Sequence, residues 1–214
     1  MKIESFVFNP FQVNCYIIYN DSGKCLIVDA SCSDTREIEK VTSFIERKNL
    51  TPLMIINTHG HVDHLPGNLF LSKKYSIDIA MHRDDLYLID KAVQQGLIFG
   101  FKISQPPHPT ILLEPDSKIN LGSSELEIRH APGHSPGSVV LYSAEGNFVI
   151  TGDVLFAGSI GRTDLPGGNY EALINSIHSQ LMILPGNTVV YPGHGPATTI
   201  EKERRNNPLL IKET

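Results

Sequence analysis

The stretch "IINTHGHVDHLPGN", residues 55–68, sets His59, His61, Asp63 and His64 within six positions, directly after an apolar run. Imidazole nitrogens and carboxylate oxygens are the donors that hold zinc, iron or manganese. A polar loop that is merely rich in histidine has the same composition, so partners elsewhere in the chain decide between the two. Three such partners follow. "RHAPGHSPGS" carries His134, "FVITGDVLF" carries Asp153, and "TVVYPGHGPA" carries His194. Each lies beside glycine, at or near the end of an apolar run.

The elements that must position these residues can be read from the same sequence. "IESFVF", "NCYIIYN" and "GKCLIVDA" are β-branched and aromatic runs separated by turn residues, which predicts three antiparallel strands. Ile38, Val41, Phe44 and Ile45 share one face of a helix over about 33–50, capped by Ser33 or Asp34. "PLMIINT" is almost wholly apolar, the pattern of a strand buried on both faces. A helix is expected over "HLPGNLFLSKKY" and a strand at "DIAMH". The second half gives strands at "SKINL", "LEIRHAPG", "GSVVLYSAEGNFVITGD" and "GNTVVYPGHG", with helices over 169–181 and 198–206. Residues 83–110 combine a helix-compatible run with the proline-rich loop "SQPPHPT". Interleaved strands and helices predict an α/β layer architecture. No long linker divides the chain, so 1–214 is expected to form a single domain.

The ordered set HxHxDH, PGHSPG, TGD and PGHG resembles the metallo-β-lactamase superfamily over nearly the whole chain. The resemblance implies an αββα sandwich, with two mixed sheets face to face, helices on both outer faces and metals at one rim. It implies one metal on His59, His61 and His134, a second on Asp63, His64 and His194, and Asp153 bridging them. The implied cofactor is two divalent ions, zinc foremost, with iron or manganese open. Such a pair shares a water, lowers its pKa and clamps a developing oxyanion. Two dications, two aspartates and one hydroxide sum to about +1, which favours an anionic or carbonyl-bearing group.

"FAGSIGRTDLPGG", residues 156–168, resembles the short members of the glyoxalase II group. That likeness implies hydrolysis of S-D-lactoylglutathione or a related thioester by a metal-bridging hydroxide, with Asp63 and Asp153 as the catalytic carboxylates. A thiolate leaves readily, since a thiol pKa near about 8.5 makes little demand for a general acid. Gly195 and Pro196 stand where the full-length enzymes place a glutathione-contacting Glu-Tyr pair, and their helical domain has no counterpart here. Arg162 aligns with a substrate-contacting lysine and is the expected substrate-binding residue; an ordinary surface ion pair is its alternative. The competing activity is that of the persulfide dioxygenases, which hold one iron on the equivalents of His59, His134 and Asp153. Asp153 speaks against a β-lactamase, which commonly carries another ligand there, and His61 against a flavodiiron protein, which uses Glu.

The remaining composition bounds the partners. The net charge is −5 and charged residues make up 19% of the chain, so no basic field invites nucleic acid. The "KERR" run sits beside Glu201 and Glu203 and reads as a solvated helix face. No apolar stretch has the length of a membrane span, and Glu4 and Asn9 interrupt any signal-type apolar region. Cys15, Cys25 and Cys32 are an odd number without metal-type spacing and read as reduced thiols. The expectation is a cytoplasmic enzyme acting on a small-molecule thioester, with no nucleic acid, membrane or protein partner. His82, His108, His130 and His178 match no ligand position, although His130 is close enough to His134 in sequence to support it. Glycines 60, 133, 152, 193 and 195 flank the candidate ligands and are expected to permit tight turns or close backbone approach.

Overall fold

Residues 1–211 are described by a computed structural model. Two six-stranded mixed sheets lie face to face. The first contains β1 (Lys2–Phe8), β2 (Val13–Tyr19), β3 (Lys24–Val28), β4 (Thr51–Ile56), β5 (Asp78–His82) and β6 (Ile111–Leu113), in sequential order. Strands β1 to β3 pair antiparallel, and β3 to β6 pair parallel. The second sheet is built from β7 (Lys118–Leu121), β8 (Ser124–His130), β9 (Val139–Ser143) and β10 (Phe148–Gly152). A small hairpin follows, β11 (Leu155–Phe156) and β12 (Ser159–Ile160), before the sheet resumes with β13 (Val189–Pro192) and β14 (Thr198–Thr199). Its order is β14-β13-β10-β9-β8-β7, with β10 and β13 parallel.

Strand alternation builds the layers. In β3, Leu26 and Val28 face the second sheet and join Ile128, Leu141 and Ile150 in the central core. Cys25 and Ile27 point the other way, against Val41, Phe44 and Ile45. Those three lie on α1 (Thr35–Arg47), which with α2 (Asn68–Tyr75) covers the first sheet. On the opposite outer face, Val140, Val149 and Val190 pack against Leu173 and Ile200. Leu173 lies on α4 (Tyr170–Ser176) and Ile200 on α5 (Ile200–Asn206). The remaining helix, α3 (Leu86–Ile98), packs beside the loop after β4 through Ile89, Ala92 and Val62. The order is helix, sheet, sheet, helix, as the resemblance implied.

Local chemistry sets the helix starts. Asp34, not Ser33, caps α1 by accepting from the Glu37 N–H, and Glu37 reaches back to the Ser33 N–H. Asn169 caps α4 through the Ala172 N–H.

Three local expectations change. The helix expected from His64 begins only at Asn68, because Val62–His64 form a tight 3₁₀ turn and the next turn is pressed against the segment after β3. There Gly67 donates to the Ala30 carbonyl, and a Cβ would strike Cys32 and Ala30. Strand β4 is buried on both faces only at Ile55 and Ile56, while Thr51 at its start is exposed. The helix expected over 169–181 is regular only to Ser176 and ends in a wider π-helical turn, Ile177–Leu181. Residues 83–110 resolve into a short turn, α3 and an irregular return to β6.

Cys15, Cys25 and Cys32 are free and buried. Burial pushes the Cys25 and Cys32 thiols up to about 12 and Cys15 well above its ordinary value. Among the described residues no helix is long and apolar enough to cross a membrane.

Leu141 is fully buried between the sheets, whereas Val7 is 58% exposed. Leu141→Ala is expected to cost about 3 kcal/mol and Val7→Ala less than about 0.5 kcal/mol. Chemical denaturation at fixed metal loading measures the difference.

Candidate metal centre

All seven candidate donors meet at one rim of the sandwich. His59, His61, Asp63 and His64 occupy the turn after β4, and His134 the turn between β8 and β9. Asp153 follows β10 and His194 follows β13. The His61 Nδ1 and His134 Nε2 atoms lie 2.8 Å apart, and His134 Nε2 is 3.3 Å from His59 Nε2. On the other side, Asp63 Oδ2 is 3.5 Å from His194 Nε2 and 3.8 Å from His64 Nε2. Asp153 spans the two groups. Its Oδ1 lies 3.5 Å from His64 Nε2, and its Oδ2 is 3.6 Å from His134 Nε2 and 3.4 Å from His194 Nε2. The donors thus fall into His59/His61/His134 and Asp63/His64/His194, with Asp153 between them.

The imidazoles are held with one nitrogen turned inward. His134 Nδ1 lies 2.8 Å from the Arg162 carbonyl, and His194 Nδ1 lies 2.9 Å from the Phe11 carbonyl. A proton at each Nδ1 satisfies those carbonyls and leaves the Nε2 lone pair for the centre. Asp29 Oδ2 lies 3.1 Å from His64 Nδ1 and faces that ring as an ion-pair partner. The Asp29 carboxylate also accepts from the Thr58 N–H and hydroxyl, so it joins the end of β3 to the ligand turn. Asp29 adopts a left-handed backbone, φ 51°, which asparagine and aspartate tolerate better than most residues.

Two residues sequence reasoning passed over carry this scaffold. Asp29 ends an apolar strand just as Asp153 does, and that placement was the available signal. Asp85 gave none, since nothing in "HRDDLYLID" separates it from Asp84. The buried Asp85 carboxylate accepts from the Gly60 N–H at 2.8 Å, the Ser135 hydroxyl at 2.7 Å and the Gly137 N–H at 2.6 Å. It therefore clamps the His59–His61 turn to the His134 turn. Burial pushes its carboxyl above the ordinary value despite the three donors.

Close approach explains two of the flanking glycines. A Cβ at Gly193 would overlap the Asp153 carboxylate, and one at Gly152, where φ is +47°, would overlap the Thr58 hydroxyl. Across the sandwich, Asn14 on β2 donates to the Pro192 and Gly195 carbonyls, which ties the His194 turn to the first sheet.

The donor set fits divalent cations. His64 Nε2 and Asp153 Oδ1 are buried without hydrogen-bond partners, and His134 Nε2 crowds His61 Nδ1 and His59 Nε2 within 3.3 Å. Burial and the neighbouring imidazoles push His59 well below the ordinary histidine range, and burial with His134 takes His61 down to about 3. For His64, His194, Asp63 and Asp153 burial is outweighed by opposite charge. His64 rises to about 9 beside Asp29, Asp63 and Asp153, and His194 to about 11 beside Asp153 and Asp63. The same imidazoles hold Asp63 below, and Asp153 well below, the usual carboxylate range. Without a cation, protons on His64 and His194 balance the two aspartates. A cation there displaces those protons.

The other histidines stand apart from the centre. His82 and His130 stack nearly parallel with centroids 4.2 Å apart, and with the exposed Asp84 they form a separate group of donors whose atoms lie within 4.8 Å of one another. His130 Nε2 lies 2.8 Å from the Pro136 carbonyl and so braces the His134 turn. His108 pairs with Asp90 at the surface, and His178 is exposed.

The centre opens into a cavity of about 540 Å³, within the range of small-molecule sites. Arg162 lines it and also holds Asp164 in a two-pronged ion pair, with contacts of 2.7 and 2.6 Å. Both alternatives for Arg162 are thus present in the geometry.

A model of the metallo-beta-lactamase superfamily matches residues 8–194, and the chain belongs to that superfamily. It is 40% identical to the probable metallo-hydrolase YqgX of Bacillus subtilis over 212 residues, covering 98% of each chain. It is 35% identical to the hydroxyacylglutathione hydrolase GloC of Haemophilus influenzae, again with 98% of both covered. Among solved structures, the BLEG-1 B3 metallo-beta-lactamase superposes with a TM-score of 0.90 at 35% identity, over 98% of this chain and 99% of that one. TTHA1623 in a di-iron-bound form gives 0.87 at 37% identity, over 97% and 100%.

Metal uptake at pH 7 is expected to release protons from His64 and His194, so affinity weakens as the pH falls. Calorimetric titration with zinc in buffers of different ionisation enthalpy counts them, and a count of zero contradicts the ligand assignment. Asp85→Asn presents amide protons to groups that themselves donate, and is expected to weaken metal binding about 10–100-fold. Chelator competition measures that loss, and unchanged affinity removes Asp85 from the scaffold.

Proposed function

We propose that the protein is a binuclear metal-dependent thioester hydrolase of the hydroxyacylglutathione hydrolase type. The observation that carries the reading is the Asp153 carboxylate, placed between two groups of three donors at the floor of an open cavity. His59, His61 and His134 would hold one ion, and Asp63, His64 and His194 the other, with Asp153 shared. Zinc is the favoured metal, and the di-iron form of TTHA1623 keeps iron in contention. The ions would supply a water of lowered pKa and positive charge for the oxyanion. Likeness to GloC along the full chain supports a thioester as substrate.

The chain's own residues define the rest of the reaction. Asp63 and His194 have side chains 16% and 27% exposed, while His64 is fully buried, so the substrate carbonyl approaches from the Asp63–His194 side. Asp63 accepts a hydrogen bond from the attacking water and orients it. The thiolate departs without a dedicated acid, and among the described residues lining the cavity no lysine, tyrosine or cysteine stands ready as one. Arg162, at the cavity wall, would meet a carboxylate or phosphate on the thiol arm only by giving up its pair with Asp164.

Protein purified without chelator is expected to contain about two metals per chain and to release thiol from S-D-lactoylglutathione. His59→Ala and Asp153→Ala are each expected to lower kcat at least about 100-fold. Elemental analysis with a thiol-trapping assay measures both. One iron per chain, no thiol release and oxygen uptake with glutathione persulfide would install the dioxygenase reading; faster turnover of a β-lactam than of any thioester would install lactam hydrolysis.

A further inference from the structure

The cavity above the metal centre has a lining unlike that of a glutathione site. Beyond the metal donors, Phe11, Ile98, Phe99, Phe156, Ile160 and Leu165 give its wall a strongly apolar character. Arg162 is the sole arginine or lysine among the described lining residues, and its guanidinium is already engaged by Asp164, whose carboxyl it holds down to about 2. Glutathione carries two carboxylates and an ammonium, and these walls offer that charge pattern little. The neutral polar side chains on the wall are Ser159 and Gln95, and the Gln95 side-chain oxygen is buried without a partner.

The apolar character continues past the rim. Leu97, Ile98 and Phe99 at the end of α3 are 70%, 73% and 44% exposed. Three consecutive exposed apolar residues at a cavity mouth lose water-facing area only when something apolar covers them. Phe11 packs edge-on against Phe99 and Phe101, which continues this wall down to the carbonyl that holds His194.

We infer that the cavity binds the acyl arm of the substrate, and that this arm is an apolar chain or ring larger than a lactoyl group. The inference rests on the thioester reading and refines its acyl specificity. The choice of arm follows from chemistry. Biological carrier thiols are amide-rich and polar next to sulfur, so an apolar wall has its match on the acyl side of the carbonyl. Each methylene moved from water onto this wall adds to kcat/KM, about tenfold for every two methylenes until the space is filled.

The test uses metal-loaded enzyme and acyl thioesters of N-acetylcysteamine, from acetyl to octanoyl, beside S-D-lactoylglutathione. The expected result is a kcat/KM that climbs at least tenfold from acetyl to hexanoyl and then levels. Ile98→Asn and Phe99→Asn, at exposed positions, are expected to cut the hexanoyl-to-acetyl ratio several-fold. Binding of hexanoate and acetate, followed by calorimetry, gives a readout independent of turnover, with hexanoate expected to bind at least tenfold more tightly. A flat acyl series, a ratio untouched by both variants, or lactoylglutathione as the best substrate overturns the inference and leaves a thioester hydrolase standing. If no thioester is cleaved, the thioester reading fails, and equal binding of the two carboxylates then overturns the apolar cavity as well.

Discussion

Everything at the rim follows from an electrostatic misfit that the protein alone does not relieve. Inward-facing imidazole nitrogens stand 2.8 to 3.3 Å apart, and a buried carboxylate oxygen beside them has no donor. Lone pairs crowded in this way repel unless protons or cations lie between them. The surrounding chain keeps the misfit in place. Backbone carbonyls of Phe11 and Arg162 hold two of the rings, and the Asp29 carboxylate holds a third. Each contact costs a hydrogen-bonding group that could have served elsewhere in the fold, and together they pre-pay the ordering that ion binding would otherwise require.

The two sheets make that arrangement rigid. The ligand turns follow β4, β8, β10 and β13, so each begins from a strand locked in a hydrogen-bonded ladder. Ties between the sheets then remove the remaining freedom. Asn14 spans to Pro192 and Gly195, the Tyr16 hydroxyl donates to the Pro192 carbonyl at 2.6 Å, and Asp85 links the turns after β4 and β8. The polar ties lie around the rim, while the interior between the sheets is filled by Leu26, Val28, Ile128 and Leu141. Apolar burial supplies cohesion, and directional bonds supply placement.

The candidate donors were legible because they sit in glycine-flanked turns after apolar runs, where composition and position point the same way. The layer order was legible from alternation in β3 and from the amphipathic face of α1. Less visible were the contacts made by residues with no local signature. Asp85 is distinguished from Asp84 only by what it meets 25 and 50 residues away. The start of α2 falls beyond the expected one because Pro66 and Gly67 outweigh Leu65, and the Ala30–Cys32 segment presses on Gly67. The Arg162 pairing was ambiguous for a related reason: Asp164 lies two positions on, but sequence does not say whether a flexible side chain turns to it. Local patterns report strands and turns; contacts across the sandwich depend on how those turns are brought together.

The three buried thiols have a bearing on the chemical company the protein keeps. The proposed reaction would release a free thiol at each turnover, and free thiols exchange with accessible disulfides nearby. Exchange needs a thiolate that can be reached. Cys15, Cys25 and Cys32 offer neither exposure nor ionisation, being at most 1% exposed and strongly biased to the protonated form. The three thiols are therefore shielded from mixed-disulfide formation while the chain is folded.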